Sequence, residues 1–149
     1  IMAGMRRPLI AVLAVALAGA AAAPASAALE LTPGAVRMLA DGPGTPTPAF
    51  AARAGQTYRF AVSYVVRGAP RIATGHVFRF EDAVTGRRVA LRAQSFPPDR
   101  PGPYRESASL TIPRSWEPGV YRIAWRIDAR ARGEAPVEAR GARVFLVVG

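Results

Sequence analysis

The stretch "LTIPRSWEPGVYRIAWRI", Leu110 to Ile127, decides the fold. At its start Leu110 and Ile112 flank Thr111 before Pro113 stops the run. After Pro118-Gly119, Tyr121, Ile123, Trp125 and Ile127 alternate with Arg122, Ala124 and Arg126. Successive side chains of a strand point to opposite faces, so a period of two predicts two half-buried strands joined by a proline- and glycine-rich corner.

The same period recurs outward from this corner, and no stretch shows a helical period. Ala108 continues the inward phase of Leu110 back through the first strand, with Ser107 and Ser109 on its other face. From Thr57 to Arg67, Tyr58, Phe60, Val62, Tyr64 and Val66 share one face. From His76 to Glu81, Phe78 and Phe80 face inward; Thr85-Gly86 then turns the chain into Val89, Leu91 and Ala93, which predicts a hairpin with Gly86 at positive φ. The last run, Ala142 to Val148, is apolar on both faces apart from Arg143, as in a strand covered on both sides or one whose outer face meets a partner. A first strand from Leu29 to Leu39 is interrupted at Pro33-Gly34, the mark of a kinked edge strand. About seven strands at this spacing predict an all-β fold, a single antiparallel β-sandwich. Two proline-rich segments, "ADGPGTPTPA" at 40–49 and "FPPDRPGPY" at 96–104, read as stiff surface loops. Polyproline II ligands are the alternative, and Pro98 and Pro101 have the spacing for one.

In the corner, the order L-x-I, a short connection, then G-x-Y-x-apolar resembles the junction of strands E and F in immunoglobulin-like and fibronectin-type domains. The resemblance makes Leu110 and Ile112 core residues of strand E and places Tyr121 at the tyrosine corner, where its hydroxyl bonds back to nearby backbone. The chain departs from antibody-type domains at Ile123, which stands where a cysteine would be, and in carrying Trp125 on strand F. Such superfolds host unrelated activities, so the resemblance implies a fold and assigns no functional residue.

The N-terminal sequence reads as a secretory signal peptide, residues 1–27. Arg6-Arg7 precedes an apolar run from Leu9 to Ala23, and the segment ends in Ala25-Ser26-Ala27. The apolar run is too short and too alanine-rich to span a bilayer, and Pro24 follows it. Sec export fits the flanks better than the twin-arginine route; Met2 and Met5 both remain possible starts. The expected mature part, 28–149, has the length of one domain, a periplasmic or secreted bacterial protein with no transmembrane segment after cleavage. There is no cysteine, which excludes disulfides and thiolate metal sites. All basic residues are arginine, as in the proteome of a GC-rich bacterium, and the mature part has 18 of them against 10 carboxylates, a formal +8. Such a charge bears on solubility and on attraction to polyanions, not on fold.

The residues for catalysis are sparse. His76 is the one histidine, which excludes histidine metal clusters, and it reads as a strand-end residue near the core face. Glu81 and Asp82 are adjacent, hence on opposite faces, and cannot act together on one bond. No phosphate-binding glycine loop is present, and Met38 and His76 are too few for a copper site. Neither cofactor nor metal is expected, and the chain reads as no enzyme. The aromatic residues on inward faces read as core.

Two features remain as candidate sites. Arg79, Arg122, Arg126 and Arg143 are expected together on the outer face of one sheet, where guanidinium forks suit phosphate or carboxylate polymers; a solvated face balanced by Glu81, Asp128 and Glu138 is the alternative. Trp116, in the corner, either caps the sandwich or stands exposed for a ligand. The function read from the sequence is a non-catalytic binding or accessory module whose partner is an envelope protein or an anionic envelope polymer, with no specific nucleic acid expected and the oligomeric state left open. A small exported hydrolase, a protease-inhibitor-like domain using 96–104, or a structural spacer are the alternatives.

Overall fold

The computed structural model describes residues 27–41 and 47–149. The signal-peptide reading, apart from Ala27, and residues 42–46 of the first proline-rich segment lie outside them. The described chain is all-β, with nine strands and no helix: β1 (Glu30–Ala40), β2 (Thr47–Pro48), β3 (Ala51–Arg53), β4 (Thr57–Arg67), β5 (Ile72–Asp82), β6 (Arg88–Asp99), β7 (Gly102–Thr111), β8 (Gly119–Arg130) and β9 (Val137–Val148).

These strands form two sheets, in the orders β2-β1-β4-β7 and β3-β9-β8-β5-β6. One sheet curls into a half-barrel. All pairings are antiparallel except that of β3 with β9. β1 lies against β9 and closes one side of the molecule; the opposite side is bounded by the edge strands β6 and β7.

The alternating sequence pattern explains the core. Tyr58, Phe60, Val62, Tyr64 and Val66 of β4 are all buried, facing Phe78 and Phe80 of β5 and Ile123, Trp125 and Ile127 of β8. Phe60 joins the sheets: its ring meets Phe80 edge-to-face at 4.9 Å and Phe145 at 5.4 Å. In the absence of disulfides, aromatic burial of this kind holds the sheets together. The kink expected at Pro33-Gly34 is a register shift between Pro33 and Val36. The hairpin turn has Gly86 at φ +70°, and Asp82 fixes it by accepting hydrogen bonds from the Val84 and Thr85 amides at 2.8 and 2.9 Å.

Four expectations need correction. β5 begins at Ile72, so His76 lies in mid-strand and is buried rather than at a strand end; the small outward residues Ala73 and Gly75 conceal the strand's first half. The strand after the hairpin has the opposite phase to the one expected. The pairing with β5 shifts between Phe80 and Glu81, which sets Ala90 opposite Phe80 and turns Leu91 outward, 44% exposed. One extra residue in a strand reverses every side chain beyond it. Segment 96–104 is no loop: Phe96 to Asp99 belongs to β6 and Gly102 to Tyr104 to β7, leaving only Arg100 and Pro101 between. Both strands are sheet edges, where proline's missing N–H is tolerated. Arg143, finally, is not on the outer face. It pairs directly with inward Ile123, because the apolar residues on both sides of it left the strand's phase ambiguous in the sequence.

Candidate functional site

The outer face of the larger sheet is built from the residues that alternate with the core. Small side chains form its floor: Ala73, Gly75 and Val77 on β5, Ala93 on β6 and Ala124 on β8. Long arginines stand around them. Two adjoining depressions of about 280 and 310 Å³ share Val77 and Arg126 and make one groove along β5. Arg79, Arg88, Arg126 and Arg140 surround an apolar stretch that includes Leu91 and Ala124. Farther along, Arg130, Asp128 and Ser95 surround Gly75. A Cβ at Gly75 would come within 3.1 Å of the Asp128 carboxylate, so the missing side chain is what leaves this end open.

The electrostatics of the face are those of shared carboxylates. Glu81 lies on the outer face but is buried beneath Arg79 and Arg122, both of which pair with it; Arg122 Nε donates to Oε2 at 3.0 Å. The Arg122 hydrogen bond is the main cause that holds the Glu81 carboxyl below the usual carboxylate range, with Arg79 adding to it against the opposing effect of burial. Glu138 is likewise shared by Arg126, at 3.6 Å, and Arg140. Asp128 pairs with Arg130 at 3.2 Å. Arg88 has no acidic partner among the described residues. The four long strands thus present six arginines, Arg79, Arg88, Arg122, Arg126, Arg130 and Arg140, against three carboxylates. The pairs made by Asp128 and Glu138 are exposed enough to stabilise the fold little, so an incoming anion can exchange with them at small cost. Arg79 and Arg122, in contrast, are held by the buried Glu81, which is costly to leave unpaired.

Of the four arginines expected on this face, three are there. Arg143 is instead at the closed side between β1 and β9, where it donates to the Val36 carbonyl at 3.1 Å and stands 5.7 Å from the centre of the Phe50 ring. It ties the sheets together. Trp116 also has a structural position. Its ring stacks on Tyr121 at 4.6 Å, nearly parallel at 9°, and packs against the core, so it caps the corner. Tyr121 donates to the Glu117 carbonyl at 3.0 Å, the backbone bond expected there.

Sequence reasoning missed Arg88, Arg130 and Arg140, and it missed the small-residue floor. The alternation of Ala73, Gly75 and Val77 was the signal for the floor; Arg88 precedes the register shift and was legible as the outward neighbour of Val89. It also missed a buried polar group inside the sandwich: Tyr64, Thr74, His76 and Glu106. Extending the phase of Ala108 and Leu110 backward predicts Glu106 and Tyr104 inward, so this signal was legible. At the other end of the outer face Val120, Val144 and Leu146 are exposed, and nothing covers them among the described residues.

No family model matches the chain, and no curated protein does. One solved structure, described as the X-ray structure of Northeast Structural Genomics Consortium target SoR45, aligns with 82% of this chain and 87% of its own at 12% identity and a TM-score of 0.35. A likeness of that size carries no argument about fold or function.

Proposed function

We propose that this chain is an exported, non-catalytic binding module of a bacterial envelope, periplasmic or secreted, with an immunoglobulin-like or fibronectin-type sandwich whose outer groove holds an extended anionic polymer. Two features support the fold assignment. β5, β8 and β9 share one sheet while β1, β4 and β7 share the other, as strands C, F, G and A, B, E do in that superfold. The Tyr121 hydroxyl bond closes the corner between β7 and β8.

The observation that carries the binding assignment is the ratio of six arginines to three carboxylates around a floor of small side chains. A smooth floor admits a chain lying along β5, and guanidinium groups on both walls can take its carboxylates or phosphates in bidentate pairs. The test is titration of the mature domain with polygalacturonate at low and moderate salt, then with a variant carrying Arg88→Gln and Arg126→Gln. Binding should weaken steeply as salt rises, because several charge contacts are made. The double variant should bind roughly tenfold more weakly, equivalent to about 1.4 kcal/mol. Absence of binding at low salt, or equal affinity in the variant, refutes the assignment. Duplex DNA serves as the control for unspecific polyanion attraction.

A further inference from the structure

Between the edge strands β6 and β7 an interior cleft of about 300 Å³ opens to solvent. Phe96 and Tyr104 are its aromatic walls, Pro97 and Pro98 are at its rim, and Glu106 is at its inner end. The position of Glu106 is chemically unusual. The chain has 20 basic residues against 10 acidic ones, and each carboxylate of the outer face has an arginine partner. Glu106 is buried, yet no arginine pairs with it among the described residues.

Its polar neighbours are neutral. The Tyr64 hydroxyl donates to Oε1 at 2.9 Å. His76 Nδ1 stands 3.5 Å from Oε2. The His76 side chain is 2% exposed, and Nδ1 makes no hydrogen bond. Burial holds the imidazole below its ordinary pKa, so at pH 7 it supplies no counter-charge. Asp99 lines the cleft as a second acidic side chain, and the Tyr104 hydroxyl is pushed up by burial first, then by the negative charges of Asp99 and Glu106. Arg71, at the rim, donates to the Pro98 carbonyl at 3.1 Å rather than to a carboxylate. Buried charges are ordinarily paired, and here the missing cation has an open path.

We propose that this cleft binds one alkylammonium group, carried by a free amine or by a lysine side chain, with the Glu106 carboxylate as counter-ion and the Phe96 and Tyr104 rings as walls. Aromatic faces attract a cation through their quadrupole. An ammonium suits the site better than a guanidinium, because a fork needs both carboxylate oxygens free in one plane. Here the Tyr64 hydroxyl occupies Oε1 and the His76 ring stands beside Oε2. The cleft adjoins one end of the outer groove, with which it shares Thr74 and Phe96, but Glu106 and Tyr104 line the cleft and not the groove, so the amine site does not depend on the polymer-binding assignment.

His76 is the one histidine in the sequence, so its ring Hε1 signal reports on Glu106 without overlap from another imidazole. The mature domain is titrated at pH 7 and constant ionic strength with n-butylamine hydrochloride and, separately, with Nα-acetyl-lysine amide, sodium chloride being the blank. A saturable shift of the His76 signal with either ligand supports the site, and which ligand saturates it identifies the carrier. Glu106→Gln, which keeps an acceptor for Tyr64, should abolish saturation. Tyr104→Leu, at a half-buried position, should weaken binding roughly two- to fivefold, the loss of one cation–π contact. A drift no different from that of sodium chloride with both ligands, or saturation undiminished in Glu106→Gln, overturns the proposal.

Discussion

The corner between β7 and β8 makes the sharpest test of the architecture, and Tyr121 is the residue to perturb. Its ring is 5% exposed, stacked on Trp116 and 6.0 Å from Phe145, while its hydroxyl donates to Glu117. Tyr121→Phe removes the hydrogen bond alone. Because Glu117 is exposed, its carbonyl can take a water in place of the hydroxyl, so the cost falls in the ordinary range of about 0.5–1.5 kcal/mol. Tyr121→Ala also removes the ring and leaves a cavity beneath Trp116, which costs about 3–5 kcal/mol. With a urea dependence of about 2 kcal/mol per molar for a domain of this size, the midpoint should fall by roughly 0.5 M for Phe and about 2 M for Ala. Urea unfolding followed by far-ultraviolet circular dichroism measures both. A double-mutant cycle with Trp116→Ala should give a coupling of about 0.5–1.5 kcal/mol, the usual size for a stacked aromatic pair. An alanine variant that unfolds at the wild-type midpoint would refute both the corner and the strand phase derived from it.

Gly141 lies opposite Trp125, and a Cβ there would stand 2.4 Å from the indole ring. Gly141→Ala should therefore destabilise the domain by about 1–3 kcal/mol through overpacking and alter the near-ultraviolet circular dichroism of Trp125; an unchanged spectrum and midpoint would show that the indole has room to move. Burial lowers the folded pKa of His76, against the opposing attraction of Glu106, so the unfolded chain takes up its proton first as pH falls. The contribution of His76 to stability is then complete above about pH 6.5 and is lost as pH drops from there through the folded pKa. Its imidazole signal should titrate below the ordinary value, and a midpoint at or above about 6.5 would contradict this reading.

What the sequence made legible was the set of strands with one wet and one dry face. β4 is bounded at Thr57 and Arg67 as its pattern requires, and Tyr121 to Ile127 alternate as read, because the arginines there lie toward solvent while the aromatic and β-branched residues that alternate with them lie over the core. The pattern was silent where both faces meet similar surroundings. On β9, Phe145 and Val147 are buried while Val144 and Leu146 are exposed, so hydrophobicity alone could not fix the phase, and Arg143 was assigned to the wrong side. Glu106 was overlooked for the opposite reason. Its phase was clear, but a carboxylate among inward residues contradicts the default expectation, and such local exceptions are where functional positions concentrate.

One irregularity shapes both candidate sites. Without the register shift between Phe80 and Glu81, Leu91 and Ala93 would point into the sandwich and Arg92 and Gln94 outward. The shift does the reverse. It places Leu91 and Ala93 on the outer face, where they become apolar floor for the groove. It also turns Arg92, Gln94 and Phe96 toward the open side, in register with Phe78, His76 and Thr74. Inward-pointing charge on a long edge strand discourages pairing with another chain, which a disulfide-free domain with a strand of this length needs. The same turn brings the Phe96 ring within 5.7 Å of His76, at the wall of the cleft that Glu106 closes. A single extra residue in β6 therefore accounts for that strand's share of the groove floor, the protected edge and one aromatic wall of the amine cleft, features that no reading of β6 in isolation joins.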